Sequence, residues 1–514
     1  MDLEKRSVGG GDLESELGSS NVFAKTLLSW GVEGRGISPV PISERTDTQY
    51  YKLFFLWFTM NFNILSFSAG TLGPVAFGLG IRESCLVILF FNLLCCLPPA
   101  YFATWGPKLG LRQMVQARFS FGYYGVILPC VLNMIGMFGF CILNAILGGQ
   151  TLASVADGNL TWTAGIVIVV VISLALSFCG YSILTWYERL AWFPVLVVYL
   201  VTLGLGGKNL NDVPPSEPAD AASILSFAST IAGFVITYSP LASDFTIYFS
   251  PNVSSIKIFL YTYFGLLIPI TSVQCFGAAA AAASAAVPTW AQAYDNSNVG
   301  GLLAAMLSPV GNFGKFLTVL LSLSVAGNIA ATFYSISLNV QVFIPALIVV
   351  PRYVFSITTT AIVLPIAIVG SHKFYDTLTN FLGLIGYWCS AFIAVILFEH
   401  LVFRRKKQSQ TEDTSTTTTT SPSTSSPHST STSAFDSYRV EAWNVPHLLP
   451  SGIPAITAGV ASFGLVVPCM SQIWFTGPIA ERTGDIGFEM AFVVTGLLYV
   501  PFRALEIRIG RGVK

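Results

Sequence analysis

The amino-acid sequence predicts an all-α integral membrane protein with about twelve transmembrane helices, and three observations carry that reading. Of the 514 residues, 53% are hydrophobic and only 10% are charged, against roughly a quarter charged in soluble domains. The apolar residues fall in repeated blocks of about 20, the length a helix needs to cross roughly 30 Å of hydrocarbon. The basic residues alternate along the chain as the two sides of a twelve-span protein require.

Residues 1–52 read as a polar cytoplasmic tail without a signal-peptide pattern, so the first apolar block is expected to act as its own membrane-targeting signal. Apolar runs between helix breakers then place spans near 53–80, 84–104, 124–150, 162–182, 189–206, 224–249, 258–284, 302–343, 352–371, 375–402, 451–475 and 485–505. The eighth block is too long for one helix, and Pro309 and Gly311 mark a loop ahead of a span starting near Asn312. The segments 106–123, 207–222, 285–300 and 403–447 are expected to be non-helical. Within the last, residues 408–437 are almost entirely Ser, Thr and Pro, a composition that cannot bury apolar surface and predicts a disordered cytoplasmic linker over 403–447. The expected organisation is thus a ten-helix core over 53–402, the linker, two further helices over 448–505 and a short tail over 506–514.

Charge tests this count independently. With the N-terminus in the cytoplasm, the alternating loops put 21 of the 26 basic residues inside and leave Arg82, Lys208, Lys315, Lys373 and Arg482 outside. Both termini are therefore expected in the cytoplasm. A formal net charge of zero gives no basic footprint for nucleic acid. The nine cysteines sit inside or beside apolar blocks, none at metal-ligand spacing with histidine, so neither a disulfide framework nor a metal or other cofactor is expected.

Transport sites arise where a span carries helix breakers and polar groups at membrane depth, because unwound backbone there exposes carbonyls and amides. The first span carries Asn61, Asn63, Ser66, Ser68, Gly70, Thr71, Gly73 and Pro74, a stretch expected to break the helix near its middle, and the sixth carries Tyr238-Ser-Pro240-Leu-Ala-Ser243-Asp244. Either alone reads equally as a kinked helix. Two such breaks five spans apart predict a five-plus-five inverted repeat with both breaks facing a central site. The third span places Phe140 and Asn144 four residues apart on one helical face, and the eighth does the same with Asn328 and Thr332. Taken singly, each of these polar residues also fits interhelical glue.

These motifs resemble the fungal purine–cytosine permeases, a branch of the nucleobase–cation symporters. The resemblance begins at Trp30-Gly-Val-Glu33-Gly-Arg35-Gly36-Ile-Ser-Pro39-Val-Pro41. It continues through Ser66–Pro74, Phe121-Gly-Tyr-Tyr-Gly125, Asn144–Gln150, Ala242-Ser-Asp244-Phe-Thr246 and Tyr334-Ser335. It implies a LeuT-like repeat of ten helices plus two, and uptake across the plasma membrane, by alternating access and with a cation, of a small planar nitrogen heterocycle of the purine or cytosine nucleobase type. It also implies that Phe140 and Tyr238 sandwich the ring, while Asn144 and Asn328 or Thr332 read its edge. Many relatives carry tryptophan where this chain has Phe140 and Tyr238, and their paired-asparagine stretch stands here as Asn328-Ile-Ala-Ala-Thr332. Vitamin B6 carriers of the same branch show that a different polar ring fits this architecture.

Two acids are candidates for cation coupling, since intramembrane acids serve as proton relays. Glu188 either relays a proton or pairs with Arg189, and Asp244 either relays a proton or caps the second half of its span. Sodium would instead need oxygens from the first and eighth spans, where Ser322 and Ser324 lie. The fungal branch generally looks proton-coupled, which favours protons. A membrane hydrolase is disfavoured, because His372, His400, His428 and His447 all lie at span ends or in loops. A channel would need a filter or charged ring that the sequence does not display. A non-transporting nutrient receptor on the same scaffold stays open as an alternative.

Overall fold

The computed structural model describes residues 36–156, 158–178, 190–210, 213, 218–344, 346–347, 350, 352–404 and 434–510. Span 1 is a pair of helices, Tyr51–Asn61 and Ile64–Phe77, bent by 56° at a short break. Spans 2 and 3 are Ile81–Leu109 and Ile127–Ser154; spans 5 to 8 are Trp192–Leu210, Ala221–Phe245, Ser255–Ser284 and Asn312–Phe343. Span 12 is Gly487–Arg508. Span 4, Trp162–Phe178, and span 11, Ile453–Cys469, are shorter, at 17 residues each.

The run Tyr353–Arg404 contains 52 residues. At 1.5 Å per residue that is about 78 Å, more than two hydrocarbon cores. A 3₁₀ turn at Ser371–Lys373 divides it into span 9, Arg352–Gly370, and span 10, Phe374–Phe398. By length and hydropathy alone, eight helices among the described residues qualify as membrane-crossing, and the bent pair adds a ninth. Dividing the long run and including the two shorter apolar helices brings the architecture to the twelve spans expected. Leu86, Phe90, Ile135, Leu203, Ile268, Val460 and Leu497 face outward, an apolar surface of the kind a bilayer covers.

The spans sort into two groups. Spans 1, 2, 6 and 7 pack on one another, and spans 3, 4, 8 and 9 form a second group. Members of each group are related five apart, 1 with 6 and 2 with 7, then 3 with 8 and 4 with 9. That is the packing a five-plus-five repeat produces. Span 10 joins the groups by packing on spans 3 and 6, and spans 11 and 12 pack on each other and on span 10. Buried amides tie spans within each group, as in the 2.7 Å bond from Asn92 of span 2 to Gln274 of span 7.

Several local expectations change. Span 1 breaks at Phe62–Asn63, inside the breaker-rich stretch Asn61–Pro74 but at its start rather than its middle, and Ser66–Pro74 lies inside the helix Ile64–Phe77. The glycines there serve close packing instead. A Cβ on Gly70 would fall 1.9 Å from the Gln274 carbonyl oxygen of span 7, and one on Gly277 would fall 2.0 Å from that of Phe67. The segment 106–123, expected to be non-helical, forms the end of Trp105–Leu109 and most of Gln113–Gly125, the latter interrupted at Gly122 with φ 73°. Likewise 285–300 lies largely within a helix, Pro288–Leu307, broken at Ser297 and Asn298. In both places a broken helix buries apolar residues that a plain loop would leave exposed. Span 8 does begin at Asn312.

The linker expected over 403–447 is ordered at both ends, while 405–433 lies outside the described residues. Three 3₁₀ turns, Ala434–Ser437, Val440–Asn444 and Pro446–Leu448, follow the Ser/Thr-rich stretch. They pack beneath the helices because Tyr438 and Ala442 bury their side chains and buried arginines reach their carbonyls. Arg118 donates to Trp443 O at 3.1 Å and Val342 O at 3.3 Å, and Arg404 to Ser437 O at 3.2 Å and Phe119 O at 3.0 Å. The ends of spans 2, 8 and 10 therefore share one face with residues 105–125 and 434–448. Near that face Glu399, 1% exposed, binds both Arg404 and Arg503, each at 3.1 Å.

Candidate functional site

The site grows from the way two broken helices satisfy their backbone. A helix end leaves N–H and C=O groups without partners, and burial makes each one costly. At the span 1 break, Asn63 serves both halves. Its Oδ1 accepts from Leu65 N at 2.9 Å and Ser66 N at 3.1 Å, while its Nδ2 donates to Met60 O at 2.7 Å. Asn328 of span 8 donates to the same Met60 carbonyl at 2.9 Å. Ser66 Oγ donates to Asn61 O at 2.6 Å, and Ile64 N donates to Ser324 Oγ at 3.3 Å. The break is thus held open by side chains from spans 1 and 8.

Span 6 breaks where expected. Its α-helical part ends at Ile236, and Ser239–Phe245 continues as a 3₁₀ helix with Pro240 near its start. The two breaks meet through Tyr238, whose hydroxyl donates to Asn61 Oδ1 at 2.7 Å. The 3₁₀ half is fastened to the 105–125 face. Asp244 Oδ1 accepts from Gln113 N at 2.8 Å, Ser243 Oγ donates to Phe102 O at 2.7 Å, and Thr246 Oγ1 donates to Ala103 O at 2.7 Å. Because Gln113 opens the helix Gln113–Gly125, Asp244 occupies the N-terminal position where a carboxylate is favoured.

Between these breaks and spans 3, 8 and 10 lies a cavity of about 40 Å³. That is room for about three waters. Phe140, Tyr238, Asn328 and Thr332 all line it. Asn144 sits behind this wall, donating to Phe140 O at 2.9 Å and Asn328 Oδ1 at 3.2 Å, with its own buried Oδ1 lacking a hydrogen-bond partner among the described residues. Ser66 and Ser68 are buried in the second half of span 1 and do not line the cavity. Asp244 does not line it either. Glu188 lies outside the described residues.

Ring contacts set the aromatic walls. Phe140 stands nearly perpendicular to Phe234 at 6.1 Å and to Phe381 at 5.2 Å. The Phe381 ring is seated on Gly139, where a Cβ would fall 2.0 Å from it. Tyr238 meets Trp57 nearly perpendicular at 5.3 Å.

The cavity also contains residues not singled out from sequence: Met60, Asn133, Met137 and Trp388 among them, beside Asn63, Thr237 and Ser335 of the sequence motifs. Asn133 and Ser335 were within reach of helical spacing, seven residues from Phe140 and Asn328 on the same faces. Trp388 carried no such signal. The lining is mostly apolar, with aromatic rings, leucines and methionines around a few amides and hydroxyls, and among the described residues no charged side chain contributes to it. Such walls suit a neutral planar ring with hydrogen-bonding edges, not an ion. Among the described residues there is also no His, Cys, Asp and Glu grouping able to hold a metal.

Comparison with known proteins agrees with this architecture. Residues 39–424 match a family of permeases for cytosine/purines, uracil, thiamine and allantoin. The chain is 34% identical over 483 residues to the purine-cytosine permease fcyB of Emericella nidulans, covering 93% of this chain and 89% of the relative. It is 30% identical over 517 residues to the vitamin B6 transporter TPN1 of Saccharomyces cerevisiae, covering 95% and 89% respectively. Among solved structures it resembles Mhp1, a nucleobase-cation-symport-1 family transporter, in a closed conformation with bromovinylhydantoin bound. The TM-score is 0.66 at 15% identity, over 92% of this chain and 96% of that one, a likeness of fold. With its two spans broken at one central cavity and a family match over most of its length, this chain is a multi-pass membrane transporter rather than an enzyme and belongs to the cytosine/purine permease family.

Proposed function

We propose that the protein imports a small planar nitrogen heterocycle of the purine or cytosine type across the plasma membrane, by proton symport and alternating access. The observation that carries the reading is the cavity at the junction of the two broken spans, walled by aromatic rings with amides at Asn63, Asn133 and Asn328 and no charged side chain among the described residues. The ring stacks at Phe140 and Tyr238, and Asn328 and Thr332 read its edge, with Asn144 orienting Asn328 from behind. Ser66 and Ser68 act from the second half of span 1, Ser66 by holding the break through Asn61 O. The positive-inside rule places the 105–125 face, both termini and the Ser/Thr-rich linker in the cytoplasm.

Proton coupling is supported by what the break's oxygens already bind. Met60 O accepts from two amides, Ser324 Oγ accepts from Ile64 N, and Ser322 Oγ donates to Gly148 O at 2.8 Å. A sodium ion at this junction would have to displace those donors. Asp244 and Glu188 are the proton acceptors in this reading. Protonating Asp244 weakens its bond to Gln113 N and so loosens the 3₁₀ half of span 6 from the cytoplasmic face.

A second reading, a vitamin B6 carrier, is favoured by the 30% identity to a vitamin B6 transporter over 95% of the chain. Expression in yeast lacking its own nucleobase uptake separates the two. Labelled cytosine, adenine, hypoxanthine and pyridoxine are supplied with and without a protonophore. Concentrative, protonophore-sensitive uptake of a base is expected; robust pyridoxine uptake without any base uptake would overturn the cargo assignment. Uptake of none of the four would overturn both readings and favour the receptor alternative or another cargo of the family.

A further inference from the structure

The polar lining of the cavity extends along spans 3 and 8 beyond the residues assigned to the ring. Spans 3 and 8 run antiparallel, and two asparagine pairs mark their register. Asn144 donates to Asn328 Oδ1 at 3.2 Å, and Asn133 donates to Asn339 Oδ1 at 3.0 Å. The pairs are eleven residues apart on each helix, so they are separated by about 16 Å of helical rise. The intervening faces are Phe140 against Thr332, then Met137 against Ser335, and all four residues line the same cavity. The proposed stacking site occupies only the Phe140–Asn328 end.

We propose that the Asn133 end is a second station for the same planar ring, on the exit side, built by Trp388, Asn133 and Ser335. This rests on the transport reading above. Trp388 of span 10 lines the cavity and is 8% exposed, and its buried Nε1–H has no acceptor among the described residues; Trp57 and Trp105 share that condition but do not line the cavity. Buried donors without partners are rare in folded proteins, and an indole N–H only donates. A carbonyl oxygen or pyridine-type nitrogen on the ring supplies the acceptor. Asn133 and Ser335 each donate and accept, so they complement an edge carrying both kinds of group. Met137 offers a polarizable sulfur to the ring, a favourable partner for aromatic surfaces.

Ring packing ties this end to the cytoplasmic face. Trp388 meets Phe392 at 6.2 Å, and Phe392 stacks on Phe121 at 5.8 Å within the helix Gln113–Gly125. A ring leaving the first station toward that face passes Trp388 before release. The station therefore governs turnover and affinity from the cytoplasmic side, and leaves capture from outside to Phe140, Asn144 and Tyr238.

The test uses the full chain, fluorescently tagged to normalise surface level, in the uptake-deficient yeast. Trp388→Phe keeps an aromatic ring and removes only the donor; Ser335→Ala is the second variant should the first fail to reach the surface. With labelled cytosine or adenine, maximal uptake is expected to fall about three- to tenfold, the scale of one lost hydrogen bond, while the external KM stays within twofold. In inside-out vesicles, the half-saturating concentration for exchange from the cytoplasmic side should rise by a similar factor. Asn144→Ala serves as the contrast and should raise the external KM. The second station is overturned if Trp388→Phe and Ser335→Ala raise the external KM as Asn144→Ala does, or if they leave every constant unchanged. Should the wild type carry pyridoxine and no base, the nucleobase reading fails, and the same constants measured with pyridoxine decide the station.

Discussion

Replacing Asn328 by alanine should separate a binding role from a structural one. Asn328 donates to Met60 O at 2.9 Å and accepts from Asn144 Nδ2 at 3.2 Å. Neither partner is stranded by its loss, because Met60 O still accepts from Asn63 and Asn144 Nδ2 still donates to Phe140 O. At about 0.6 kcal/mol per interhelical hydrogen bond in a membrane, the stability cost is roughly 1.2 kcal/mol. The cost to transport should be larger. A ring edge left unsatisfied in the cavity costs about 1–3 kcal/mol, which at 1.4 kcal/mol per tenfold is roughly a 5- to 150-fold loss in uptake efficiency. The assay is initial-rate uptake of labelled base at matched surface level, beside denaturant-induced unfolding of the purified protein in detergent. Uptake within twofold of wild type would refute the binding role. A stability loss above about 3 kcal/mol would show that Asn328 is a structural pin, contrary to the accounting above.

Three further outcomes follow from the packing. Glu399→Ala should cost about 3 kcal/mol or more of unfolding free energy in detergent, because it strands the buried Arg404 and Arg503; a change below about 0.5 kcal/mol would mean that Glu506 and the backbone carbonyls suffice for them. Gly70→Leu should abolish surface delivery, since even a Cβ meets Gln274 O at 1.9 Å; normal delivery by microscopy would show that spans 1 and 7 separate without penalty. Asp244→Asn keeps an oxygen to accept from Gln113 N but removes the titratable group, so exchange of labelled for unlabelled base should persist while protonophore-sensitive accumulation is lost. Unchanged accumulation would remove Asp244 from the proton path.

Helical periodicity made much of the site legible. Phe140 with Asn144 and Asn328 with Thr332 share faces because positions four apart do so on any α-helix, and the fold brings both pairs to one place. The break in span 6 was equally visible, since Pro240 lacks the N–H an α-helix requires wherever it stands. In span 1 the break falls inside the stretch Asn61–Pro74 but at its start. Gly70 and Gly73 resemble breakers in sequence, yet the chain unwinds at Asn63, where its own amide and that of Asn328 take up the freed backbone groups.

The sequence alone determined the membrane-spanning α class, the number of spans and the alternation of basic loops. These follow from length, hydropathy and charge, which act residue by residue against the bilayer. Tertiary structure decided which polar residues face the cavity and which are spent on the fold. Trp388 reaches the cavity only because span 10 packs on spans 3 and 6. Asp244 is committed to Gln113, 131 positions away. Whether a buried polar group is free to bind a ligand depends on which distant group already satisfies it, and that pairing exists only once the helices have packed.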